Sequence, residues 1–134
     1  QLSRGDNIHP QSPLFHFEKP ASIDQAARAE NKTLSLNEVV EKTRNVLKDS
    51  KAFVTLELAG GVKVPLNDTE DQIDVLKALQ MPVVLCAKSG LGTLNHTFLT
   101  VELLKRQGIE VLALFMVVQL NYPCLLGLMV THTV

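Results

Sequence analysis

Two apolar segments of the chain each end in a glycine-containing turn, and both turns carry groups that could bind an anion or a metal ion. In the first, Glu57 lies near the end of a segment rich in valine, phenylalanine and leucine, just before Ala59-Gly60-Gly61. Its carboxylate could coordinate Mg²⁺ beside phosphate groups, because Mg²⁺ prefers oxygen ligands. Considered alone, Glu57 is equally consistent with a solvated acid at a strand end.

The second turn follows the apolar run MPVVLCA, which is typical of a buried parallel strand. Gly90 and Gly92 allow the backbone to turn tightly, and Thr93 is a candidate cap for a helix that begins near Leu94. The free N–H groups at such a helix start, with the helix dipole behind them, can bind a phosphate or a carboxylate. An asparagine at the position of Asn95 is most often part of a capping network.

Hydrophobic periodicity predicts the elements that position these turns. Residues 22–30 form an alanine-rich helical stretch, and Ser35 with Glu38 forms a capping box before an apolar helical face. The other predicted elements are a strand at 52–58, a helix with Ile73, Leu76 and Leu79 and a capping pattern at Thr69 and Gln72, a strand at 82–87, a helix at 94–107 and a strand at 109–118. This alternation predicts an α/β fold with a parallel βαβαβ sheet and right-handed crossovers.

Three motifs of the chain resemble those of one enzyme family. They are FHFEKPAS at residues 15–22, LELAGGVKVPLND at 56–68 and GLGTLNHTFLT at 90–100. In this order and spacing they are similar to the middle portion of dethiobiotin synthetase, with the likeness covering about residues 15–116. The resemblance implies an incomplete P-loop NTPase-like domain. It also implies the ATP- and Mg²⁺-dependent carboxylation and ring closure of 7,8-diaminononanoate in biotin biosynthesis.

The resemblance also implies roles for individual residues. The family's Glu-Gly-Ala-Gly-Gly motif places its metal-binding glutamate at Glu57 and its phosphate-facing backbone at Ala59, Gly60 and Gly61, with Leu58 in place of a glycine. The family's substrate carboxylate, held across a homodimer interface, would lie at a helix start formed by Gly92, Thr93, Leu94 and Asn95. No catalytic residue is assigned within these 134 residues. The expected ligands are therefore Mg²⁺, ATP and a small diamino acid, and the expected partner is a second copy of the chain.

The P-loop motif GxxxxGK[ST] does not occur in the sequence. We therefore expect the isolated chain to be inactive, and whether it is an enzyme at all stays open. The expected organisation is an N-terminal loop at 1–14, a partial domain at 15–118 and a divergent tail at 119–134 of a processed or fragmentary polypeptide. Two alternatives remain: a catalytically dead dimerisation or interaction module, and a dinucleotide-binding half-domain in which Asn95 stands at the third glycine position and Glu110 is the acid.

Composition narrows the class of partner. Thirteen basic and fourteen acidic residues give a formal net charge of -1, and no basic block is present, which argues against a nucleic-acid partner. Residues 109–130 have the length of a membrane span but include Glu110 and Pro123, so no membrane partner is expected. No secretory signal is visible, and the expected compartment is cytoplasmic or mitochondrial.

Overall fold

The computed structural model describes residues 13–49, 53–117 and, for its backbone, 127–132. Most of the predicted N-terminal loop and part of the predicted tail lie outside these residues. The helices and strands are α1 Ile23–Ala29, α2 Leu36–Asp49, β1 Val54–Ala59, α3 Gln72–Leu79, β2 Val83–Lys88, α4 Thr93–Arg106, β3 Val111–Val117 and β4 Gly127–His132. Each element predicted from the sequence is present, with bounds shifted by one or a few residues.

The four strands form one sheet in the order β1-β4-β2-β3. The parallel pairing predicted for neighbouring strands is confirmed between β2 and β3, where Leu85 lies opposite Leu114. The α/β class is confirmed as well. The sheet also contains a strand that the sequence did not predict, β4, which lies within the segment expected to be a divergent tail. It is antiparallel to both of its neighbours.

The direction of β1 and β2 follows from their pairing with β4. Leu58 of β1 and Leu85 of β2 both lie opposite Leu128 of β4, and each strand is antiparallel to β4. The strands β1 and β2 therefore run in the same direction, and their carboxyl ends lie at the same edge of the sheet. One strand separates them, which corresponds to about 10 Å at the usual spacing of neighbouring strands.

Helix α3 connects two parts of the hydrophobic core. Its Leu76 is fully buried in a cluster with Leu104 of α4 and Val83 of β2. Its Val75 is fully buried in a second cluster with Val40 of α2. Burial of a large apolar side chain contributes roughly 1.5–3 kcal/mol, so α3 holds both the sheet side and the α2 side of the molecule together.

The loop between β1 and α3 is attached to the start of α2. The Glu70 carboxylate accepts the N–H of Leu36 at 2.9 Å, and the Asn67 amide donates to the carbonyl of Leu34 at 2.8 Å. The predicted capping role of Ser35 is confirmed, since its hydroxyl accepts the N–H of Glu38 at 3.2 Å. The bonds from Leu36 and Glu38 satisfy N–H groups that the first turn of a helix leaves without partners.

The capping pattern predicted at Thr69 and Gln72 is wrong. Helix α3 begins at Gln72, and Asp71 is its N-cap. The N–H of Asp71 donates to the Asp74 carboxylate at 3.2 Å, and this bond lowers the pKa of Asp74 below its ordinary value. Thr69 instead donates from its N–H to the side chain of Asn67 within the preceding loop.

No helix among the described residues has both the length and the apolar character needed to cross a bilayer. Within the stretch whose length first suggested a membrane span, residues 111–117 form β3.

Candidate functional site

The first glycine turn begins at the carboxyl end of β1. Glu57 is exposed, whereas its neighbour Leu58 is buried in the core cluster. Because successive side chains of a strand point to opposite faces, the leucine that replaces the family's glycine packs into the core and leaves the Glu57 side of the strand open. Gly60 follows with a φ of +86°, a conformation that glycine adopts at little cost.

Two hydrogen bonds from Gln72 fix both ends of this turn. The backbone N–H of Gln72 donates to the Val64 carbonyl at 3.0 Å, and its side-chain Nε2 donates to the Ala59 carbonyl at 2.6 Å. Within the turn, the N–H of Val64 donates to the Gly61 carbonyl at 3.0 Å. Gln72 is only 2% exposed. The sequence did not identify this residue as part of the site, because its contact with Ala59 spans 13 positions and leaves no local signal.

A lysine lies within the same turn. Lys63 is paired with the carboxylate of Asp71, the N-cap of α3. The hydrogen bond to Asp71 raises the pKa of Lys63 above its ordinary value. The side chain of Lys63 is mostly solvent-exposed, so the ion pair contributes little to stability, and its two charges cancel.

The second glycine turn places the start of α4 next to the end of β2. Gly92 is the N-cap, with a φ of +90°, and Thr93 is the first helical residue. The prediction that the Thr93 side chain caps the helix is wrong, since no side-chain cap bond is formed at this helix start. Thr93 donates its N–H to the Gly90 carbonyl at 3.2 Å, and His96 donates its N–H to the Gly92 carbonyl at 3.1 Å.

Between these two bonds, the N–H groups of Leu94 and Asn95 have no backbone acceptor among the described residues. Both residues are exposed. Together with the positive end of the helix dipole, two adjacent free N–H groups are suited to a carboxylate or phosphate oxygen. Binding of an anion at this helix start stays a prediction.

A cavity of about 320 Å³ lies beside this helix start. Of the four residues predicted to bind a carboxylate, Gly92 and Thr93 line it, whereas Leu94 and Asn95 do not. Lys88 at the end of β2 and His96 on the first turn of α4 also face the cavity and were not assigned a role from the sequence. The remaining lining residues are Leu85, Cys86, Ala87, Gly90, Leu91, Thr97 and Thr100.

The structure places the two predicted sets at the same edge of the sheet but not in one cavity. Glu57, Ala59 and Gly60 line a second cavity of about 580 Å³ between β1 and the helices α1 and α2. Gly61 is not among its lining residues. Among the described residues, the positions predicted to bind metal and phosphate on β1 are therefore separate from the position predicted to bind a carboxylate on α4.

The donors present fit a divalent cation only in part. The described residues contain no cluster of three or more His, Cys, Asp or Glu side chains suited to a metal. Mg²⁺, however, usually keeps several waters and takes one or two carboxylates together with substrate phosphate oxygens. The single exposed carboxylate of Glu57 fits this donor set, while the GxxxxGK[ST] motif that cradles phosphates does not occur in the chain.

The dinucleotide-binding alternative is not supported by the position of its acid. Glu110 precedes the first residue of β3, Val111. A ribose-binding acid in such folds lies at the carboxyl end of its strand, next to the glycine turn.

Helix α4 carries apolar side chains on its outer surface. Leu94 is 70% exposed and Phe98 is 69% exposed, and these residues are one helical turn apart. Leu91, in the turn before the helix, is fully exposed. We refer to these three residues as the α4 apolar surface; contiguous exposed apolar groups of this kind often mark sites of association.

Comparison with known proteins places this chain in a family. A family model described as "AAA domain" matches residues 2–122. The ATP-dependent dethiobiotin synthetase BioD of Anaeromyxobacter dehalogenans (strain 2CP-C) is 45% identical over 97 residues, which are 72% of this chain and 43% of the relative. The protein of the same name from Paramagnetospirillum magneticum is 34% identical over 121 residues, 90% of this chain and 55% of the relative. The chain thus spans about half the length of these curated relatives.

Substitution of the two turn glycines tests the geometry of the first turn. A Cβ at Gly60 would lie 3.0 Å from the Val64 side chain and would require a residue with a φ of +86°. We expect Gly60→Ala to lower the free energy of unfolding by about 1–2 kcal/mol, measured by urea denaturation. Gly61→Ala is the matched control, because a Cβ there meets no atom within 4 Å and its φ is not positive. Equal effects of the two substitutions would contradict the described turn.

Proposed function

Because the chain belongs to the dethiobiotin synthetase family of AAA domains, we propose that its two glycine turns serve ATP-dependent closure of a ureido ring on 7,8-diaminononanoate. In this reaction CO₂ adds to one amine as a carbamate, the carbamate is phosphorylated at the expense of ATP, and the second amine closes the ring as phosphate leaves. The chain contributes the portion of the site that lies at the carboxyl ends of β1 and β2.

The proposed role of the β1 turn is to hold the metal and the phosphates. The exposed carboxylate of Glu57 offers one oxygen to Mg²⁺, which would neutralise negative charge on the phosphates when bound. Gly60 and Gly61 carry no side chain that would prevent a phosphate from approaching the backbone near Ala59. This role is supported by the exposure of Glu57 and by the burial of Leu58 on the opposite face.

The proposed role of the α4 turn is to bind the carboxylate of the diamino acid. The observation that carries this proposal is the pair of unbonded N–H groups at Leu94 and Asn95 at the start of a 14-residue helix. A carboxylate held there orients the long substrate with its two amines directed away from the helix. Binding at the far end of the substrate thereby contributes to positioning the amines for reaction.

Titration with the substrate and its carboxamide analogue tests the carboxylate site. An anion at a helix start is stabilised by about 0.3–1 kcal/mol when exposed and up to about 2 kcal/mol when partly buried, so we expect millimolar affinity at most. The diamino acid should shift the NMR signals of the Leu94 and Asn95 amides, whereas the uncharged carboxamide should shift them several-fold less. Equal shifts with both compounds would show that the turn does not recognise the carboxylate.

We also propose that this chain alone does not turn over the substrate. Phosphoryl transfer depends on groups that bind the phosphates, and these groups contribute many orders of magnitude to the rate. The P-loop motif that supplies such groups is not among these 134 residues. The purified chain with ATP, Mg²⁺, bicarbonate and the diamino acid should form no more dethiobiotin than a sample without protein. Product formation that disappears in Glu57→Gln would overturn this proposal while supporting the metal role of Glu57.

We further propose that the chain forms a homodimer through the α4 apolar surface. This surface adjoins the proposed carboxylate site, so a second copy seated on it would lie next to the substrate. The proposal is supported by the exposure of Leu94 and Phe98 on one side of α4. It accommodates the alternative of an inactive dimerisation module, because association through this surface requires no catalysis.

Sedimentation of two phenylalanine variants tests this interface. Phe98→Ser should weaken the dimer at least tenfold, because it removes a large apolar side chain from the α4 apolar surface. Phe53→Ser is the matched control, since Phe53 is 59% exposed and precedes β1, away from α4. A wild-type chain that stays monomeric at high micromolar concentration would rule out the dimer. Equal weakening by both substitutions would instead indicate non-specific association.

A further inference from the structure

Two polar side chains are buried in the described core, and they are bonded in different ways. Thr43 donates from its hydroxyl to the Val39 carbonyl, one turn earlier in the same helix. Gln72 instead donates to the Ala59 carbonyl, which belongs to another element of the fold. The first bond is local to α2, whereas the second joins the first residue of α3 to the last residue of β1.

Burial of the Gln72 amide in an apolar environment carries a cost in free energy. Removing an amide from water costs free energy unless its polar atoms are hydrogen-bonded, and the bond that compensates adds little net stability. An apolar side chain of similar size at this position would avoid the cost. We therefore attribute to the Gln72 side chain a specific effect: its hydrogen bond fixes the position of the backbone at Ala59.

That arrangement concerns the glycine-containing turn that follows β1. The segment 59–64 contains Gly60 and Gly61, and glycine has the widest range of backbone conformations. Gln72 holds the segment at both ends, through the Ala59 carbonyl and the Val64 carbonyl. Glu57 lies two residues before the first of these contacts.

We propose that Gln72 is a positioning residue that fixes the 59–64 turn, and with it the relation between the Glu57 carboxylate and the turn's backbone amides. The part of this proposal that concerns metal and phosphate rests on the proposed function, whereas the fixing of the turn does not. Gln72 itself touches neither ligand in this scheme. Its side chain acts through the Ala59 carbonyl, and its backbone N–H acts through the Val64 carbonyl.

The ligand-free chain tests the fixing of the turn. Gln72→Leu should shift the Gly60 and Gly61 amide signals, because the side-chain bond to Ala59 is lost. It should also increase the hydrogen-exchange rate of the Val64 amide, which donates to the Gly61 carbonyl within the turn, about tenfold. Thr43→Val is the control: it also removes a buried side-chain bond to a backbone carbonyl, but that bond lies within α2 and does not involve the turn. Wild-type signals and exchange rates in Gln72→Leu, or equal changes in Thr43→Val, would overturn the proposal.

Gln72→Glu separates positioning from general destabilisation. A protonated carboxylic acid can donate to the Ala59 carbonyl, whereas the ionised form cannot. The turn signals of this variant should therefore match those of the wild type at acidic pH and those of Gln72→Leu at higher pH. A loss of stability alone predicts no such recovery, and turn signals that stay perturbed at acidic pH in a folded chain would count against the proposal.

Manganese ions then separate the fixing of the turn from the metal role of Glu57. In the wild type, Mn²⁺ should broaden the Gly60 and Gly61 amide signals, and Glu57→Gln should abolish this effect. Gln72→Leu should reduce it several-fold while the chain remains folded. If Mn²⁺ leaves the wild-type signals unchanged but the ligand-free results are as expected, the metal role fails and the positioning role stands.

If Gln72→Leu does not fold, the wild-type spectrum still tests whether the Gln72 side chain binds the Ala59 carbonyl. One Nε2 proton of Gln72 should exchange at least tenfold more slowly than the side-chain amide protons of Gln80, an exposed glutamine at the other end of α3. Equal exchange rates for the two side chains would show that Gln72 does not hold the Ala59 carbonyl in solution.

Discussion

Hydrogen bonding of β4 to both β1 and β2 is the interaction on which the arrangement of the two turns depends. The strand β1 lies at the edge of the sheet and has β4 as its neighbour among the described strands. Because β4 is antiparallel to β1 and to β2, these two strands share a direction. The glycine turns that follow them consequently lie at one edge of the sheet, where parallel strands usually present ligand-binding groups.

Much of this fold was predictable because its elements are encoded by local patterns. Apolar periodicity and glycine positions predicted every described helix and three of the four strands. The start of α4 was predictable for the same reason, since Gly90, Gly92 and the following helix are adjacent in the chain. A helix start needs only backbone N–H groups, and these do not depend on distant residues.

The features that could not be predicted are all non-local. The sequence of β4 gives no sign that it pairs between β1 and β2, because strand pairing is decided by the rest of the sheet. Gln72 resembles a helix-capping residue in sequence, yet its side chain bonds to Ala59, 13 positions away. The resemblance predicted that Leu58 would be a bulky replacement beside a phosphate site, and only the alternation of β1 shows that it packs into the core.

The two turns therefore differ in how strongly their conformation depends on the rest of the molecule. The α4 turn is held by bonds between residues three or four apart, such as His96 to Gly92, and retains its donors as long as the helix forms. The β1 turn instead requires β4 for the position of its strand and Gln72 for its shape. Any change that loosens the sheet should therefore alter the β1 turn, where we propose the metal and the phosphates, before it alters the α4 turn. The anion site proposed at α4 thus depends mainly on local bonds, and the role proposed for the β1 turn depends on the rest of the fold.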